Sequence, residues 1–214
     1  MSILLIFGNS IVQGFWDSKG GWADRLKSHL FKKEISSEEN YFSVFNLGVS
    51  GDTSKDLLER FESETKMRVV EKEKDEKTII LFSIGTNDSI YNNKTKKHRI
   101  SPEQFSKNLD KLFTLARKHT DHIIFLEDLP IDENKVDPIP WVKDCSYRNE
   151  FLKKYVNIAK KLCEKHNVHF IEIWDKLIKT NYKELLEDGC HPNTKGHELI
   201  FNIVKENLEN NKII

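Results

Sequence analysis

Cysteine is scarce in this chain. Cys145, Cys163 and Cys190 are widely spaced and odd in number, which excludes a disulfide framework and a zinc knuckle. Long apolar runs are also missing, and none approaches the ~20 residues needed to cross a bilayer. The first apolar stretch, Ile3 to Phe7, has no basic residue before it and is too short for the core of a secretory signal. Charge of one sign is not in excess, because 34 Lys and Arg face 34 Asp and Glu. That balance argues against nucleic acid as a partner, since such binding draws on neutralised phosphates. No stretch is rich enough in Gly, Ser and Pro to act as a linker, and neither an internal repeat nor a low-complexity segment divides the chain. With 214 residues, the expectation is a single α/β domain over 1–214, soluble and cytoplasmic. The 13 Phe, 4 Trp and 5 Tyr beside 32% charged residues exclude a disordered chain.

Short apolar runs recur at a steady interval. Ile3–Phe7, Tyr41–Leu47, Thr78–Ile84, His122–Leu126 and Val168–Ile173 predict five strands. Runs this short and this apolar suit strands covered on both faces, as in a parallel sheet. Helical stripes fall between them. Trp22, Leu26 and Leu30 mark one, and Leu57, Leu58 and Phe61 the next. Ser101-Pro102-Glu103-Gln104 predicts a helix start, with Ser as N-cap, Pro at the first position and Gln closing a capping box. Phe105, Leu109, Leu112 and Phe113 then face inward, as do Leu152, Tyr155, Val156 and Ala159 later, and Ile200 with Val204 at the end. Strict alternation of strand and helix predicts a three-layer αβα sandwich around a five-stranded parallel sheet. The charge block Glu71–Lys77 reads as a frayed helix end and a turn into the third strand. Two segments are long for bare connections. Glu127–Ser146, with three of the five Pro and Trp141, is a candidate flap, and Ser89–Arg99 is a shorter polar counterpart.

Five of the nine glycines lie in four polar clusters. Gly8-Asn9-Ser10, Asn46-Leu47-Gly48-Val49-Ser50-Gly51-Asp52-Thr53 and Gly85-Thr86-Asn87-Asp88 begin where strands one, two and three end. The fourth, Asp188-Gly189-Cys190-His191-Pro192, precedes the last helix. In an open parallel sheet, function gathers outside the carboxyl ends of the strands, where the strand order switches. With the order 2-1-3-4-5, the first three clusters meet on that edge, and the connector Trp174–Glu187 is long enough to bring the fourth to them. Each cluster alone has a plain reading as a cap or a turn. Their conjunction points to chemistry. A Ser hydroxyl is a poor nucleophile until a base takes its proton, and His suits that task near neutral pH. Asp188, three residues before His191, is placed to orient the ring. The assignment is Ser10 as nucleophile, His191 as base and then acid, and Asp188 as orienting group. The expected oxyanion donors are the N–H groups of Ser10 and Gly48 and the side-chain amide of Asn87.

These four clusters, in this order from residue 3 to about 205, resemble the SGNH/GDSL hydrolases, named for the Ser, Gly, Asn and His that Ser10, Gly48, Asn87 and His191 match. The resemblance implies a flavodoxin-like fold, no metal, no organic cofactor, and hydrolysis of a small-molecule ester. One position departs from it: the first block usually reads Gly-Asp-Ser, and this chain has Asn9, which keeps an acceptor but loses the charge. The expected activity is a serine esterase acting on short acyl groups, because Glu127–Ser146 has few large apolar residues with which to form a lid. A thioesterase, a carbohydrate acetylesterase and a non-catalytic flavodoxin-like binding protein are the alternatives. An α/β-hydrolase is excluded by the lack of Gly-x-Ser-x-Gly, and a nucleotide binder by the lack of a phosphate loop or G-x-G-x-x-G. His191 and His197, six apart, do not share a helix face for a metal, and His197 reads as a surface or capping residue. Cys163 fits a core stripe, Cys190 reads as pocket lining rather than nucleophile, and Trp16 and Trp141 lie where they could wall the pocket.

Overall fold

Apolar runs that stop at glycine or a small polar residue become the strands of one parallel sheet. The computed structural model describes residues 2–37, 41–69 and 77–214. In chain order, β1 (Ser2–Gly8) precedes a one-turn helix α1 (Ser10–Gln13) and the long α2 (Gly21–Ser37). Then β2 (Phe42–Gly48) leads into α3 (Ser54–Lys66). After β3 (Lys77–Ser83) comes a hairpin of two-residue strands, β4 (Tyr91–Asn92) and β5 (Lys97–His98). Next are α4 (Pro102–Ala116), β6 (His122–Leu126), α5 (Glu133–Val136) and β7 (Cys145–Ser146). The order ends with α6 (Asn149–His166), β8 (His169–Ile171), α7 (Trp174–Ile178), a 3-10 turn over Tyr182–Leu185, and α8 (Thr194–Asn210).

The main sheet runs β2-β1-β3-β6-β8, with every pairing parallel. Counting its five strands alone, this is the expected 2-1-3-4-5. Side chains on β1 alternate between the two faces of the sheet, as strand geometry requires. Leu5 and Phe7 enter one core with Phe61, Phe82, Phe113 and Tyr155, beneath α3, α4 and α6. Leu4 and Ile6 enter the other with Trp22, Leu26, Leu81 and Val204, beneath α2 and α8. These two layers bury both faces, which explains why the strands read as continuous rather than alternating apolar runs.

Two expectations need correction. The last strand is three residues long instead of six, because Glu127 Oε2 accepts the N–H groups of Ile173 and Trp174, both at 2.8 Å, and turns the backbone into α7. The capping box at Ser101 is half made. Ser101 Oγ accepts from the Gln104 N–H at 3.2 Å, but the Gln104 side chain reaches forward to Asn108 Oδ1 at 2.8 Å. The segments 89–99 and 127–146, long for bare connections, meet in a second, antiparallel sheet of order β5-β4-β7 that pairs Tyr91 with Ser146 and Asn92 with Cys145. Of the charge block, residues 71–76 lie outside the described residues, and Lys77 opens β3. No helix among the described residues is long and apolar enough to cross a membrane.

Candidate active site

Where β1 ends, Asn9 caps α1, its Oδ1 accepting the Ile11 N–H at 3.0 Å. Ser10 is therefore the first residue of a one-turn helix at the carboxyl end of β1, between β2 and β3 in the sheet. Its Oγ lies 2.9 Å from His191 Nε2. His191 Nδ1 is 2.7 Å from Asp188 Oδ2, and that carboxylate sets the tautomer with the proton on Nδ1. The other oxygen, Asp188 Oδ1, accepts the N–H groups of Cys190 (2.9 Å) and His191 (2.8 Å). Trp16 Nε1 also donates to Oδ2, at 3.0 Å. Burial alone would raise the Asp188 pKa, but the His191 ring and the backbone N–H groups outweigh it and hold the carboxyl well below its ordinary range. The His191 ring is flanked by Phe15 and Trp141, with centroids 5.4 and 6.0 Å away.

The second cluster divides its labour differently from the expectation. The Gly48 N–H donates to Asn46 Oδ1 at 3.1 Å, and Gly48 does not line the cavity beside Ser10. What Gly48 supplies is closeness: a Cβ there would sit 2.2 Å from the Gln13 nitrogen, so only glycine lets α1 pack on the end of β2. Gly51 does line the cavity, with a φ of +85° that disfavours other residues, and no acceptor for its N–H is found among the described residues. The Ser10 N–H is equally unengaged among the described residues. Below this loop, Arg60 binds Asp52 Oδ2 at 2.7 Å and the carbonyls of Leu47 (2.8 Å) and Gly8 (3.2 Å), joining the ends of β1 and β2.

Asn87 is held from two sides. Its Nδ2 donates to the Asp52 carbonyl at 2.9 Å, and its Oδ1 accepts from the Tyr147 hydroxyl at 2.8 Å. An amide nitrogen carries two hydrogens, so one N–H remains for the cavity. The residues around it are anchored by buried carboxylates. Asp88 accepts the Ser54 N–H at 3.0 Å, and burial pushes its pKa to about 7. Asp128 accepts from Thr86 Oγ1 at 2.6 Å and is pushed by burial to about 6.

Ser10, Asn87, Asp188 and His191 line one cavity of about 400 Å³, and Trp16 and Trp141 wall it as the sequence suggested. His197 is not on the surface. It is fully buried, Nδ1 accepting the Trp22 N–H at 3.2 Å and Nε2 donating to the Phe15 carbonyl at 2.9 Å, and burial lowers its pKa. It thus caps the first turn of α2 and ties α8 to the loop after Ser10. Cys190 is fully enclosed, and burial, followed by the Asp188 charge, raises its thiol pKa, which disfavours the nucleophilic thiolate. No group of three His, Cys, Asp or Glu among the described residues is arranged to hold a metal ion. Tyr147 and Phe15 were missed by the sequence reading. Neither lies in a glycine-rich cluster, and no local signal marks them.

A profile of the GDSL-like lipase/acylhydrolase family matches residues 6–199. The chain belongs to that family. Membership makes it a carboxylic ester hydrolase of the GDSL type. Among its relatives, it is 24% identical to the isoamyl acetate-hydrolyzing esterase 1 homolog of Homo sapiens, covering 92% of this chain and 77% of that protein. It is 20% identical to an arylesterase of Vibrio mimicus, covering 96% and 87%. The crystal structure of a lipase/acylhydrolase from Enterococcus faecalis superposes with a TM-score of 0.77 at 19% identity, covering 99% and 97%, and shows the same fold. The departure at Asn9 has a structural account, because the cap needs only an acceptor and the amide provides it. Asn and Asp are comparable caps, so Asn9→Asp is expected to keep kcat/KM within about threefold and stability within about 0.5 kcal/mol. Ester hydrolysis and thermal denaturation of both proteins check this. A natural protein that is inactive until Asp is introduced would refute it.

Proposed function

We propose that this chain is a serine esterase that cleaves short-chain carboxylic esters through an acyl-enzyme intermediate. One observation carries the reading: Ser10 Oγ, His191 and Asp188 form a continuous relay, with contacts of 2.9 and 2.7 Å. Ser10 Oγ bonds to the ester carbonyl carbon while its proton passes to His191 Nε2. As the tetrahedral intermediate collapses, the carbon–oxygen bond to the alcohol breaks, and His191 returns the proton to the departing oxygen. Water then attacks the acyl carbon, gives its proton to His191, and the acid leaves as Ser10 Oγ recovers that proton. The oxyanion is met by the N–H groups of Ser10 and Gly51 and by the free N–H of Asn87, a preorganised set that needs no movement during the reaction.

Cavity size supports a short acyl group. About 400 Å³ lies near the lower end of ligand pockets, and Phe15, Trp16 and Trp141 close in on the triad. The human relative carries a name that specifies an acetate ester, which agrees. The test is chemical trapping. Mixing the protein with p-nitrophenyl acetate should release a stoichiometric burst of nitrophenolate, and peptide mapping after rapid acid quench should find one acetyl group on Ser10. No burst, or an acetyl group only elsewhere, would overturn the assignment.

A further inference from the structure

We propose that the ester cleaved by this chain bears a negative charge of its own, a carboxylate or a phosphate, held by Arg99 on the wall of the catalytic cavity. The inference rests on the esterase reading above and specifies its substrate. Arg99 lines the same cavity as Ser10 and His191. No ion pair or side-chain hydrogen bond to its guanidinium is found among the described residues. The carboxylates that feel its charge, Asp52 and Asp56, are already engaged. Asp52 is bound by Arg60 at 2.7 Å, and Asp56 by the Thr53 N–H at 2.9 Å. An uncommitted guanidinium facing a binding cavity offers a planar fork of donors that matches carboxylate and phosphate oxygens.

Arg99 is also well placed to be rigid at its base. Its N–H donates to the Ile90 carbonyl at 2.7 Å, and the next residue, Ile100, donates to the Asp88 carbonyl at 3.2 Å. The backbone that presents Asn87 to the cavity therefore also presents Arg99. Beyond it the cavity continues. A second cavity of about 400 Å³ shares Ile90, Arg99 and Val142 with the first and is lined further by Asn92, Thr95 and Lys97. The hairpin that builds this extension carries charge of one sign. Residues 89–100 contain Lys94, Lys96, Lys97 and Arg99 and no Asp or Glu, in a chain whose overall charge is zero. Facing them from the neighbouring segment, Asp144 takes up Lys94 at 2.8 Å, and Lys143 adds a further cation. Concentrating cations at one rim of the cavity steers anions toward it.

The test uses matched esters that differ in charge and hardly in size. With charge on the alcohol side, 4-acetoxybenzoate and 4-acetoxyphenyl phosphate are compared with 4-acetoxybenzamide. With charge on the acyl side, monomethyl succinate is compared with methyl succinamate. Dissociation constants are measured by calorimetry on the Ser10→Ala protein, and KM on the active protein. At least one charged ester should bind about tenfold more tightly than its neutral twin, with the preference shrinking as salt is added. Adding Arg99→Gln should bring the ratio to about one, and Arg99→Lys should retain part of it. Equal binding of charged and neutral twins, or a preference that survives Arg99→Gln, would overturn the inference. Turnover of 4-acetoxybenzamide reports on the esterase reading separately. Ser10-dependent turnover without charge preference sinks only the anion site. Charge preference without any turnover upholds the site and sinks the esterase.

Discussion

Ser10→Ala is expected to lower kcat for p-nitrophenyl acetate by about 10⁴–10⁶-fold, and His191→Ala by a similar factor. The double variant should lose hardly more than either single one, because a nucleophile without its base and a base without its nucleophile fail at the same step. Additive losses would mean that the 2.9 Å contact is not the one through which the proton moves. Asp188→Asn tests the third member and should cost about 10⁴-fold in kcat. Its carboxylate accepts four donors: the N–H groups of Cys190 and His191 on one oxygen, the His191 ring and Trp16 Nε1 on the other. An amide has one oxygen and must turn its own N–H groups toward donors, which favours the wrong His191 tautomer. The same bonds set a pH dependence. The folded-state pKa of Asp188 lies below its ordinary 3.8, so its contribution to stability is fully present above that pH and is lost as the pH falls toward the folded value. The gap in thermal stability between wild type and Asp188→Asn should be widest near neutral pH and close in acid.

The strands were legible because both faces of the sheet are covered. Burial on two sides makes each run apolar without interruption, and the runs end where Gly8, Gly48 and Gly85 allow the chain to turn. Ser10, Asn87, Asp188 and His191 were legible for a related reason: small, turn-forming residues crowd where strands end, and reactive side chains stand out among them. What stayed hidden depends on partners distant in the chain. Gly48 and Gly51 lie in one cluster and look equivalent in sequence. Only the fold shows that Asn46 takes the N–H of one and that the other faces the cavity. His197 reads as a surface or capping residue, and only the fold shows that it caps from the interior, where the Trp22 N–H and the Phe15 carbonyl satisfy both ring nitrogens. The antiparallel sheet of β5, β4 and β7 has strands of two residues each, too short to show any periodicity. Glu127, the first residue of the candidate flap, also ends the last strand, by accepting N–H groups 46 and 47 residues away.

Asn87→Ala is expected to lower kcat by about 10²–10³-fold, equivalent to ~3–4 kcal/mol of transition-state stabilisation, with a much smaller effect on KM. The ground-state carbonyl has little need of the third donor, and the charged oxygen of the intermediate needs it most. The substitution also damages the scaffold, because it strands the Asp52 carbonyl and takes from the Tyr147 hydroxyl its acceptor, which now meet the amide at 2.9 and 2.8 Å. Each stranded group costs ~1–3 kcal/mol when water cannot reach it, so the melting temperature should fall as well. Tyr147→Phe separates the two effects. It removes one strut from Asn87 but leaves the amide, still oriented by Asp52, with its free N–H. Stability should drop by about 1 kcal/mol, while kcat changes by less than about tenfold. Binding of a boronic acid that mimics the tetrahedral intermediate should weaken in Asn87→Ala and hold in Tyr147→Phe. If both variants lose stability and catalysis in the same proportion, the amide is a strut of the cavity wall, and the oxyanion is carried by Ser10 and Gly51 alone.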